Sequence, residues 1–123
     1  MTTNTDLVRQ YLAAIDPAAP DTERLATLVT ADLVLVDVLM PLSGADTLLD
    51  ALQGGSGMPI TSTVQDVIGD DAAGTAAARV LVEVAGRAIQ YLQWFWITDG
   101  RINRVEVIYD PRPFLELAAE HTS

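Results

Sequence analysis

The chain has no cysteine and a single histidine, His121, among its 123 residues. The absence of cysteine excludes disulfide bonds, thiol nucleophiles and thiolate metal sites. His121 is the third residue from the C-terminal end, where chains commonly fray, so we expect neither a histidine-based triad nor a multi-histidine metal site. Any chemistry then depends on carboxylates, tyrosines, amides or arginines, and we expect no cofactor and no metal ion.

Positive charge is also scarce, with 7 lysines and arginines against 17 aspartates and glutamates, for a net charge of −10. Binding to nucleic acids and to anionic membranes depends on basic residues, so we expect no nucleic-acid partner and no membrane partner. There is no charged-then-apolar signal sequence at the N-terminal end and no apolar run long enough to span a bilayer. These absences together predict a cytoplasmic protein.

The chain is rich in hydrophobic residues, which make up 50% of its sequence and favour a folded core over disorder. The length suits one domain over residues 1–123, and we find no internal repeat and no linker. Apolar spacing predicts a first helix through Leu7, Tyr11 and Ile15 with Thr5 as its N-cap, and a second helix starting at Asp21. A strand over 33–39 and a short helix over 43–52 follow.

The second half is predicted to be a meander of antiparallel strands. Ala85-Gly86 and Asp99-Gly100 are turn signals, and an Asp-Gly pair between two apolar runs is a strong hairpin signal. The four predicted strands and the final helix cover 60–68, 77–84, 87–98, 102–109 and 114–120. Helices that precede an antiparallel sheet indicate an α+β fold.

One carboxylate interrupts the apolar stretch "LVLVDVLMP", and it belongs to Asp37. An ionised carboxylate among apolar groups is costly unless it has a partner, so Asp37 is a candidate proton acceptor. The alternative is structural, because an aspartate commonly caps a turn by accepting hydrogen bonds from nearby backbone N–H groups.

Three stretches in this order resemble the nuclear transport factor 2-like superfamily. They are "VRQYLAAID", "LATLVTADLVLVDVLMPLSGADTLLDAL" and "WFWITDGRINRVEVIYDPRPF", and within the superfamily they are most similar to SnoaL-like polyketide cyclases and ketosteroid isomerases. The resemblance implies a cone-shaped, curved antiparallel sheet wrapped around N-terminal helices. It also implies an apolar pocket inside the cone, and often a dimer.

The resemblance implies three catalytic residues for an isomerase or cyclase acting on an apolar small molecule. Asp37 matches the position of the general base, and Tyr11 matches the tyrosine that binds the developing oxyanion. Gln93 stands where ketosteroid isomerases have a protonated aspartic acid, and its amide is a weaker donor. Val38 replaces the proline that often follows the base in the family.

Strand alternation predicts which side chains line the pocket. It puts Tyr91, Phe95, Val107 and Tyr109 in the pocket together with Gln93, and we also expect Met40 and Met58 there. Trp94 and Trp96 have the opposite parity, so we expect them on the outer surface of the sheet as the contact of a homodimer. The alternative places the two tryptophans in the pocket.

Other functions remain open on the same scaffold. Limonene epoxide hydrolases in the superfamily need an arginine between two aspartates. Arg79 is near the arginine position, but Leu81 and Val107 occupy the places of the two acids. An epoxide-opening cyclase could instead pair Asp37 with Asp66 as a second acid. A non-catalytic binding or accessory protein is the alternative from another class, and a role in subunit assembly alone is a third.

Overall fold

A capping box starts the first helix of the computed structural model, which describes residues 2–39, 42–54 and 60–122. The Thr3 side chain accepts a hydrogen bond from the backbone N–H of Asp6, and the Asp6 carboxylate accepts one from the backbone N–H of Thr3. The prediction of Thr5 as N-cap was therefore wrong by two residues. Asp21 caps the second helix by accepting from the N–H of Arg24.

Four helices and six strands follow one another along the chain. They are α1 (Asn4–Ala14), α2 (Thr22–Leu28), β1 (Val29–Val36), β2 (Leu42–Ser43), α3 (Ala45–Gly54), β3 (Ile60–Asp70), β4 (Thr75–Val84), β5 (Arg87–Thr98), β6 (Arg101–Ile108) and α4 (Arg112–Thr122). The sequence predicted the type and order of all of them except β2, which is only two residues long.

The strands form one sheet in the order β2-β1-β6-β5-β4-β3. All neighbours are antiparallel except β1 and β6, which run parallel. Two tight turns join β4 to β5 and β5 to β6, and all four turn residues have positive φ: Ala85 50°, Gly86 78°, Asp99 52° and Gly100 75°. Two consecutive residues with positive φ form the turn that matches the twist of a hairpin. The α+β prediction is confirmed.

The helices α1 and α2 pack against one face of this curved, open sheet, which we call the inner face. On β5 the inner face carries Tyr91, Gln93 and Phe95, and the outer face carries Trp94 and Trp96. The two helices contribute the fully buried Val8, Tyr11 and Leu25 to the core, and the sheet contributes the equally buried Phe95, Ile102 and Val105.

The helix α1 approaches the sheet closely at Gly69 of β3. A Cβ atom at this position would lie 2.9 Å from Oγ1 of Thr5, so only glycine fits there without a shift of the helix. Among the described residues, no helix is long and apolar enough to cross a membrane.

Candidate functional site

Asp37 is the first residue after β1, not a residue within it. The predicted strand over 33–39 was misplaced, because β1 begins at Val29, directly after α2, and ends at Val36. The Oδ1 atom of Asp37 accepts two hydrogen bonds, from the backbone N–H of Leu39 at 2.9 Å and from the Tyr109 hydroxyl at 2.6 Å. The carboxylate thus caps its own turn, as the structural alternative expects, and it also binds a side chain 72 residues away.

Tyr109 belongs to a cluster of aromatic rings. Its ring lies parallel to that of Tyr91, with centroids 4.3 Å apart and an angle of 2° between the planes. Phe114 of α4 meets Tyr109 edge-on at 5.7 Å. The stacked pair is held at one side by the helix and at the hydroxyl end by Asp37.

The surroundings keep both hydroxyls of this pair protonated. Burial raises the pKa of Tyr109, and its hydrogen bond to Asp37 and the charge of that carboxylate raise it further. Burial and, to a smaller extent, the Asp37 charge also raise the pKa of Tyr91, whereas hydrogen bonding with Tyr109 lowers it. At neutral pH both side chains are therefore hydrogen-bond donors.

A cavity of about 210 Å³ opens between the inner face of the sheet and the helices. Most of its lining is apolar, and the polar side chains are those of Ser62, Tyr91 and Gln93. The apolar lining residues are Leu12, Ile15, Pro17, Ile60, Val64, Val80, Val82 and Phe114. Tyr91 therefore joins the cavity to the Asp37–Tyr109 pair, whereas Asp37 itself does not border the cavity.

Tyr11, the residue predicted to bind an oxyanion, lies in the core. It is fully buried, its ring meets Phe95 edge-on at 5.6 Å, and its hydroxyl has no hydrogen-bond partner among the described residues. Burial raises the pKa of Tyr11. The structure does not bring this hydroxyl to the lining of the cavity.

The other predicted pocket residues differ in their positions. Gln93 is 7% exposed, on the inner face, and borders the cavity. Phe95 and Val107 share that face but pack within the core, away from the lining of the cavity. Met40 and Met58 lie outside the described residues.

The expected second acid, Asp66, lies on the outer face. A β-bulge shifts the pairing of β3 with β4 between Val64 and Asp66, so Gln65 and Asp66 are both exposed. The Asp66 carboxylate lies 3.9 Å from the guanidinium of Arg79, which is also exposed. Because the bulge reverses the alternation, Asp66 and Asp37 do not form the paired carboxylates that an epoxide-opening cyclase would need.

The outer face carries a groove of about 390 Å³ over the small side chain of Ala77. Its exposed apolar walls are formed by Ile68, Leu92, Trp94 and Ile108, and the Asp66–Arg79 ion pair also lines it. Trp94 is 44% exposed and lies edge-on to Trp96 at 6.3 Å. The structure thus places both tryptophans opposite the cavity.

Sequence reasoning did not identify Ser62 or the hydrogen bond between Tyr109 and Asp37. The signal for Ser62 was available, because it alternates with Ile60 and Val64 and so shares their face. The hydrogen bond had no local signal, since it depends on the parallel pairing of β1 with β6. No group of three or more His, Cys, Asp or Glu side chains in the described part of the chain is placed to hold a metal ion.

Comparison with known proteins identifies relatives of this fold. A family model described as a SnoaL-like domain matches residues 8–105. The structure of an NTF2-like protein of unknown function from Cytophaga hutchinsonii superposes with a TM-score of 0.78 at 15% identity, covering 94% of this chain and 96% of that one. No curated protein matches the sequence.

Two further solved structures carry names of enzyme types. A candidate ketosteroid isomerase from Kribbella flavida has a TM-score of 0.76 at 18% identity, covering 86% of this chain and 76% of that one. A candidate polyketide cyclase from Sinorhizobium meliloti has a TM-score of 0.70 at 24% identity, covering 84% and 94%. The predicted resemblance is confirmed at the level of the fold.

Proposed function

Since the chain belongs to the SnoaL-like domain family, we propose that it is a cofactor-independent acid–base enzyme of the isomerase or cyclase type. Its substrate is a small, largely apolar molecule that extends from the cavity along Tyr91 and Tyr109 as far as Asp37, and Asp37 is the proton acceptor. The observation that carries this proposal is the 2.6 Å hydrogen bond from Tyr109 to Asp37, since Tyr109 stacks on a residue that lines the apolar cavity.

The arrangement of Asp37 suits a base with one reactive oxygen. Both hydrogen bonds to the carboxylate in the described part of the chain go to Oδ1, so Oδ2 is the oxygen to which the proton is assigned. A base must be held in one orientation relative to its substrate, and the two bonds to Oδ1 do this.

Removal of a proton next to a carbonyl develops negative charge on the carbonyl oxygen, which needs a hydrogen-bond donor. Gln93 borders the cavity and its amide is a suitable donor at any pH. The sequence assigned the same role to Tyr11, and the buried position of that hydroxyl gives the assignment no support.

The cavity volume of about 210 Å³ limits the part of the substrate that lies inside the cavity. A buried apolar cavity of about 150 Å³ holds one benzene molecule. A substrate of one or two rings with a carbonyl group therefore fits, and walls made of leucine, isoleucine, valine and phenylalanine favour an apolar body over a charged one.

The test is a comparison of Asp37→Asn with Asp66→Asn on a panel of small cyclic β,γ-unsaturated ketones. Isomerisation conjugates the double bond, which is followed by ultraviolet absorbance. We expect Asp37→Asn to lose turnover by about 100-fold or more, because the general base is removed. Asp66→Asn, an equivalent change on the outer face, should keep wild-type turnover.

The alternative is a non-catalytic protein that binds the same class of molecule. It is favoured by the lining of the cavity, which includes no carboxylate among the described residues, since Asp66 lies on the outer face and Asp37 lies beyond Tyr91. Under this alternative, cyclic ketones raise the melting temperature while no turnover is observed for the wild type. Equal turnover by the wild type and Asp37→Asn would instead show that Asp37 is not the base.

A further inference from the structure

Two tyrosines are candidates for the hydroxyl that binds a ligand in the cavity, and their positions differ. Tyr91 borders the cavity, whereas the Tyr11 hydroxyl is buried without a partner and lies away from the cavity lining. We propose that Tyr91 supplies the hydrogen bond to the oxygen of the bound molecule. This inference rests on the proposed function for the site, but not on the identity of the base.

Stacking fixes the ring of Tyr91 in place. The Tyr109 ring lies parallel to it at 4.3 Å, and the Tyr109 hydroxyl is itself bound to Asp37 at 2.6 Å. A hydroxyl donor that is held by this stacking and hydrogen bond loses little conformational entropy when it binds a ligand, because its side chain is already oriented. Tyr109 is then a positioning residue, acting on the ligand through Tyr91.

The donor also keeps its proton over the working range of pH. Burial and the nearby Asp37 charge raise the pKa of Tyr91, so the side chain stays neutral. A neutral hydroxyl donates to a carbonyl or phenolic oxygen without first changing its charge. The expected ligand is therefore an apolar molecule of one or two rings with one carbonyl or phenolic oxygen. When the ligand is bound, this oxygen lies next to Gln93 and Tyr91.

The experiment compares 2-naphthol with naphthalene, which has the same body and no oxygen. Binding of both probes is measured at neutral pH by fluorescence titration for the wild type, Tyr91→Phe and Tyr11→Phe. We expect the wild type to bind naphthol more tightly than naphthalene. In Tyr91→Phe the ratio of the two affinities should fall about tenfold, as expected for the loss of one buried hydrogen bond. Tyr11→Phe, a matched change of one hydroxyl, should keep the preference.

Naphthalene is the control for folding, since its affinity for Tyr91→Phe should equal that for the wild type if the cavity is intact. The proposal is overturned if Tyr91→Phe keeps the wild-type preference, if Tyr11→Phe loses it, or if neither probe binds the wild type. Turnover by Asp37→Asn is a separate measurement. An active Asp37→Asn variant that still prefers naphthol would refute Asp37 as the base and leave Tyr91 as the donor.

Discussion

Tyr11, Tyr91 and Tyr109 are the three tyrosines of the chain, and each hydroxyl has a different environment. The Tyr109 hydroxyl donates to a carboxylate, Tyr91 borders a cavity, and the Tyr11 hydroxyl is buried with no partner among the described residues. A buried polar group without a hydrogen bond lowers stability, because it loses its hydrogen bonds to water on folding and regains none. The residue that the family pattern marks as catalytic is thus the one with a destabilising hydroxyl.

We predict that Tyr11→Phe is more stable than the wild type by about 1 kcal/mol, since the variant removes an unsatisfied hydroxyl and keeps the aromatic contact with Phe95. Urea unfolding followed by circular dichroism measures the change. Tyr109→Phe is the matched control and should be less stable than the wild type, because its hydroxyl has a partner. A loss of stability in Tyr11→Phe would show that its hydroxyl is hydrogen-bonded.

At the scale of elements, the neighbouring strands β5 and β6 and the end of β1 bring Tyr91, Tyr109 and Asp37 together. All three tyrosines of the chain have a raised pKa in the folded protein. Above the ordinary tyrosine pKa of about 10, the unfolded chain therefore releases protons that the folded protein retains. The free energy of unfolding should be unaffected by these groups below that pH and should fall as the pH rises beyond it.

The contribution of Asp37 to this behaviour is separable by mutation. We predict that tyrosinate absorbance develops at lower pH in Asp37→Asn than in the wild type, because the carboxylate raises the pKa of Tyr91 and of Tyr109. Alkaline titration followed by ultraviolet difference absorbance tests this, with Asp66→Asn as the control for loss of a charge elsewhere. Identical curves for Asp37→Asn and the wild type would refute the coupling.

The elements were predictable from the sequence where the signal was local. The Asp99-Gly100 turn and the alternation along β5 predicted the hairpins and the face on which Gln93 lies. The bulge before Asp66 was not predictable, because one extra residue reverses parity without any change in composition. The partner of Asp37 was also out of reach, since hydrogen bonds between distant residues depend on strand order.

At the scale of the whole molecule, the outer face of the sheet combines paired charges with exposed apolar side chains. The chain has a net charge of −10. On the outer face, however, the acids Asp66 and Glu106 are each paired with an arginine, Arg79 and Arg104 respectively. Asp66 and Arg79 line the groove together with its exposed apolar side chains. The pairing of these acids with arginines reduces the repulsion that a second copy of the acidic protein meets on this face, and association there removes the exposed apolar area from water.

We therefore propose that the outer face is a homodimer contact with Trp94 near its centre. The variant Trp94→Lys should shift the protein towards the monomer, because it adds a charge to the apolar groove on each copy. Light scattering coupled to size exclusion measures the mass, which should be twice that of one chain for the wild type.

Leu115→Lys is the matched control: Leu115 is also apolar and 54% exposed, but it lies on α4, outside the groove. A monomeric wild type, or a Trp94→Lys variant that keeps the dimer mass, would refute this contact. A monomer produced equally by both variants would place the interface elsewhere.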